Sequence, residues 1–132
     1  MADKKKLAFL SKFAKGVSGI YSAISQNIND VVLVLNVAEG DSTIREHIEQ
    51  IIASLEALKP NIVREKSMAT NENLMPLFRI LKKQIADIKE LEAYLKLAEK
   101  NPNHDVIKAI NTLNAKLTLL FAAERAELGN AA

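Results

Sequence analysis

Cysteine is absent from this chain of 132 residues, which removes disulfides, thiolate nucleophiles and cysteine metal sites together. That absence suits a reducing compartment, and the expected location is cytoplasmic, with peripheral attachment to a membrane as a variant. Four glycines and three prolines are too few to punctuate a many-stranded sheet protein. Tryptophan is missing and aromatics make up only 5% of the residues, so a core must be built from Leu, Ile, Val and Ala. Long apolar runs are missing as well. The most apolar stretch, residues 31–38, is far shorter than the roughly 20 residues a bilayer requires, and Gln26, Asn27, Asn29 and Asp30 interrupt any longer window. Lys4, Lys5 and Lys6 resemble the basic start of a signal peptide, but Ser11, Lys12 and Lys15 break the apolar segment that should follow, so none is expected.

What the chain does have is helical periodicity. Hydrophobic residues reach 48%, enough to bury a core within one domain. Leu10, Phe13, Val17, Ile20, Ile24, Ile28, Val31 and Leu35 recur in steps of three and four, a mean period of about 3.6 and the mark of an amphipathic α-helix. This first helix is expected over about residues 4–38, with Asp3 as its cap and Gly40 as its stop. A bend at Gly16 or Gly19, or a break near residues 27–30, remains open.

A second helix is expected over about residues 43–66. Thr43 and Glu46 have capping-box spacing, and Ile44, Ile48, Ile51, Leu55 and Leu58 form its stripe. Pro60 either ends or kinks it. The polar residues 67–73 read as a loop. The third helix, about 74–100, carries Leu74, Leu77, Leu81, Ile85, Ile88, Leu91 or Glu92, and Leu95, with Asn73 near its start and Pro76 in its first turn. The fourth, about 104–128, has Asn103 as cap, Asp105 in its first turn, the stripe Val106, Ile110, Leu113, Leu117 and Leu120, and Gly129 as its stop. Short links favour antiparallel neighbours. The expected fold is all-α, an antiparallel up-down four-helix bundle in one domain, with a long, basic first helix. Its core should contain Ile24, Val31, Leu35, Ile48, Ile51, Leu55, Leu81, Ile85, Ile88, Ile110, Leu113 and Leu117. At 1.5 Å per residue the first helix would reach roughly 52 Å and outrun its neighbours by about 8 to 10 residues.

Chemistry is harder to find. His47 and His104 are the only histidines, and neither follows a glutamate by three residues, as a di-iron bundle requires. The residues after His47 also lack the Lys-Gly of a phosphorelay histidine. Glu46 with Glu49, and Asp87 with Glu90, are similar in form to the acidic pairs that bind magnesium in all-helical nucleotide pyrophosphatases. However, Glu46 lies off the apolar stripe, and Asp87 and Glu90 alternate with Lys83 and Lys89 like a salt-bridged surface. No catalytic residue, metal ligand or cofactor is therefore assigned. Asn111, Asn114 and Thr118 make a polar line on the fourth helix, read as a solvated flank or as a buried layer that sets register. Ala14, Ser18, Ser22 and Ser25 form a small-residue line that permits close helix approach.

Charge narrows the kind of function. The whole chain is +2, yet residues 1–15 alone carry five lysines against Asp3. A basic end on a slightly acidic body points to an anionic contact. Lys4, Lys5, Lys6, Leu7, Leu10, Lys12, Phe13 and Lys15 are the expected contact residues. The expected role is that of a non-enzymatic interaction or assembly protein, binding a protein partner or itself through apolar helix faces. The alternative is a membrane-surface protein held by the basic amphipathic helix, and a metal-dependent nucleotide hydrolase is the third reading. Nucleic acid is disfavoured by the near-neutral total and the lack of aromatic platforms.

Overall fold

The computed structural model describes residues 4–37 and 42–131. Four helices fill them: α1 (Lys4–Val37), α2 (Ser42–Asn71), α3 (Met75–Lys100) and α4 (His104–Ala131). No strand occurs among the described residues. Consecutive helices pack against one another and α1 packs against α4. Across the two diagonals, no described Cα of α1 comes within 8 Å of one of α3, nor any of α2 within 8 Å of one of α4. The helices thus form a closed ring, and side chains alone fill its middle. The expected cap at Asp3 and stop at Gly40 lie outside the described residues.

α1 runs without a break past Gly16, Gly19 and residues 27–30. Its stripe buries Leu10, Val17, Ile24, Ile28, Val31 and Leu35. Ile20 was expected on that stripe but is 48% exposed, and Tyr21 takes the inward position instead. One residue is 100° around a helix, and over two turns the true period drifts the inward face from Ile20 to Tyr21. The two glycines have no structural excuse. A Cβ added at either would meet nothing within 4 Å. Gly16→Ala and Gly19→Ala should therefore each raise stability, by about 0.5–1 kcal/mol, read as a rise in the urea midpoint at unchanged slope.

The helix α2 corrects the expected loop at 67–73. It continues through Pro60 to Asn71. Pro60 is exposed, as is Glu56, whose carbonyl the missing N–H would have bonded, so solvent takes over that acceptor. The end is a Schellman motif. Leu74 N donates to Ala69 O at 2.8 Å and Asn73 N to Thr70 O at 3.1 Å. Asn73 sits at φ 57°, in the left-handed region that Asn tolerates better than most residues. It therefore closes α2 rather than capping α3, whose first turn instead holds Pro76. At the α3–α4 link, Asn103 does cap as its position indicates, its Oδ1 accepting from Val106 N at 3.0 Å.

α1 spans 34 residues against 30 for α2 and 28 for α4, so the longer α2 reduces the excess length expected of α1 without removing it. Lys6 Nζ lies 3.3 Å from Glu72 Oε1 just past the end of α2. All of the expected core residues are buried except Ile85, which is only partly buried against the core.

Candidate functional site

The basic end of α1 sorts its residues by helical angle. Lys4, Lys5, Lys6, Lys12 and Lys15 are exposed. Leu7 is half-buried, and Phe13 packs partly buried against the core. Leu10 is 1% exposed; it is a core residue, and this corrects its assignment as a contact residue. Phe9 is 60% exposed. Its ring stacks on Phe13 with centroids 6.3 Å apart. Phe9, Phe13, Gly16 and Ile20 follow one another in steps of four, three and four, so α1 carries a second apolar stripe beside the one it buries. That spacing was visible in the sequence, but the stronger stripe through Leu10 and Val17 hid it.

From Lys4 to Asn29 the helix contains no acidic residue. The flank of Phe9 opens on a cleft of about 370 Å³ against the end of α2, lined by Lys6, Leu10, Met68 and Glu72 among others. A second cleft, of about 430 Å³, lies where Asn27, Asp30 and Val34 face His47 and Gln50. Asp30, His47 and Ser54 all line the second cleft, yet among the described residues no hydrogen bond links the three, and Asp30 Oδ1 accepts from Gln26 Nε2 instead. The first cleft holds no histidine. Glu46 and Glu49 are exposed, and among the described residues no three acidic or histidine side chains group as metal ligands.

The bundle interior is more polar than expected. Tyr21 O–H donates to Asn114 Oδ1 at 2.6 Å, and its ring stacks on Phe121 at 4.8 Å. Asn114 Nδ2 donates to Asn29 Oδ1 at 3.2 Å and, at 3.4 Å, to Ser25 O. Burial raises the Tyr21 phenol above its ordinary value. The polar line of α4 is thus split: Asn114 is a buried tie to α1, while Asn111 and Thr118 are exposed. Of the small-residue line, Ala14 and Ser18 are buried and Ser22 is exposed; Arg125 Nη1 donates to Ser18 Oγ.

No family model matches this chain, and neither does any curated protein or solved structure. Asp87, expected at the surface, is buried. Glu92 is buried too, with Lys59 Nζ 2.8 Å from its Oε1. Glu65, Gln84 and Glu124 are fully buried, and Gln84 Nε2 donates to Glu124 Oε1 at 3.0 Å. Each of these three stands in the same setting. Glu65 follows Ile62 by three and precedes Ala69 by four; Gln84 does so between Leu81 and Ile88, and Glu124 between Phe121 and Leu128. Three polar residues in stripe positions were the available signal, masked for Glu65 because the expected end of α2 at about residue 66 left Ala69 outside the helix.

By length and composition α4 is also apolar enough to cross a membrane, which attention to residues 31–38 missed. Its inward face carries Asn114 and Glu124 and packs on α1 and α3, as a core helix does.

Proposed function

We propose that the chain is an up-down antiparallel bundle acting as a non-enzymatic binding protein, taking an acidic amphipathic helix of a protein partner on the outward side of α1. Residue numbers that rise on one helix as they fall on its neighbour support the antiparallel arrangement. Ser18 meets Arg125 while Ser25 and Asn29 meet Asn114. The observation that carries the function is the exposed stripe of Phe9 and Ile20, with Phe13 between them, inside an acid-free stretch with five lysines. Apolar residues at helical spacing suit a partner helix, and the lysines favour one with acidic flanks. A membrane surface is a weaker fit. Leu10, which would have had to enter the lipid, belongs to the core, as does Val17 two turns further along the helix.

A designed acidic amphipathic peptide, titrated by fluorescence anisotropy, tests this. Saturable binding that weakens with salt, and at least tenfold in Phe9→Asp with Ile20→Asp, is expected, a loss of about 1.4 kcal/mol or more. The circular dichroism of the double variant should be unchanged. Binding that ignores the double substitution, or no binding at all, refutes the assignment. Flotation on anionic vesicles that depends on Phe9 would transfer the surface to lipid, and Phe9-dependent sedimentation as a dimer would transfer it to a second copy.

A further inference from the structure

We propose that Glu65 of α2 and Glu124 of α4 hold one proton between them across the diagonal of the bundle, so that the tie between these two helices is made in acid and lost in alkali. The geometry is unusual. The backbones of α2 and α4 stay apart, with no described Cα pair within 8 Å, yet the two carboxyls reach far enough inward for Glu124 to act directly on Glu65. Both residues are fully buried. Two carboxylates can only accept, so a hydrogen bond between them requires a proton on one of them.

With both groups ionised, the accounting fails. Neither oxygen of Glu65, nor Oε2 of Glu124, then meets a donor, and the single N–H offered to the pair comes from Gln84. Place the proton on Glu65 and its O–H donates to Glu124, while Gln84 Nε2 serves the other oxygen. Glu124 is then an anion with two donors. Burial first, and then the hydrogen bond and negative charge of Glu124, raise the Glu65 carboxyl well above its ordinary value.

Among the described residues, no cation forms an ion pair with either carboxyl. On α2, Lys59 is engaged by Glu92 and Lys66 lies over the Phe78 ring. From α3 come Gln84 and the buried acids Asp87 and Glu92. From α1 come Tyr21, bonded to Asn114, and Ser18, bonded to Arg125. Arg125, next to Glu124 in α4, is thereby turned toward α1. Two like charges in so small a volume do not both ionise without cost, so the pair titrates as a unit.

The sign follows from linkage. A proton held more tightly in the folded chain stabilises it fully below the ordinary carboxylate value, near 4.5, and progressively less as pH rises toward the raised one. This runs opposite to ordinary acid denaturation.

Infrared spectroscopy of the wild-type protein at pH 7 decides the matter directly. A C=O stretch of a protonated carboxylic acid, shifted in deuterium oxide and lost on unfolding, is expected; its absence overturns the proposal. Melting from pH 5 to pH 9 adds a second readout. The wild type should lose thermal stability over that range, while Glu65→Gln, whose amide keeps a neutral donor opposite Glu124, should melt higher at pH 9 and with a flatter profile. A Glu65→Gln profile parallel to that of the wild type would also refute it. If the variant does not fold, the wild-type band alone gives the answer.

Discussion

Tyr21→Ala should lower the free energy of unfolding by about 3–5 kcal/mol, the range for removing a large buried aromatic side chain. Three losses coincide at this position. The ring leaves a cavity beside Phe121, with which it stacks at 4.8 Å. The hydroxyl vanishes from Asn114 Oδ1, and Asn114, buried on α4, then holds an acceptor without its donor. Tyr21→Phe isolates the last effect, since it keeps the ring and removes only the bond. It should cost about 1–3 kcal/mol, the penalty for a stranded buried polar group. Urea unfolding followed at a helical signal measures both, as a lower midpoint at unchanged slope. Equal losses in the two variants would mean that the ring contributes nothing, against the packing described.

Leu81→Ala should cost about 2–5 kcal/mol, and Ile85→Ala distinctly less. The two residues are neighbours on α3, one turn apart, and a sequence stripe treats them alike. Leu81 is fully buried, whereas Ile85 is only partly buried against the core. Truncating a side chain that already meets solvent opens no closed cavity, so only part of the transfer free energy is lost. Parallel thermal and urea melts of the two variants check the contrast. Losses of equal size would contradict the burial.

The four helices were legible because their apolar residues recur with one period and their ends carry distinct signals. Asn103 illustrates how much a single cap can say: its side chain bonds Val106 N as its position implied. Asn73 illustrates the opposite. Asn can open a helix or close one through a left-handed residue, and only the backbone distinguishes them. A run of polar residues before it, including Ser67, Thr70 and Asn71, looked like loop because nothing in their composition shows that Ala69 turns inward. The candidate contact surface was half legible. The lysines were visible, but the buried Leu10 and the exposed Phe9 stand only 100° apart around one helix, and tertiary packing alone decides which of two adjacent stripes is buried. The buried Glu65, Gln84 and Glu124 escaped notice because hydrophobic patterning searches for apolar residues and passes over polar ones in the same register.

The turn at Asn73 bears on more than the end of α2. It is the joint between two halves of the molecule, α1 with α2 and α3 with α4, and each half meets the other along α2–α3 and again along α4–α1. A residue that cannot adopt a positive φ would favour carrying α2 onward into α3 as a single rod. The two halves would then lie too far apart to meet within one chain, and a second chain would have to supply the missing half. Exchanged dimers of this kind rebuild the same ring from two molecules, so the torsion of a single asparagine helps decide whether the fold closes on itself or on its twin.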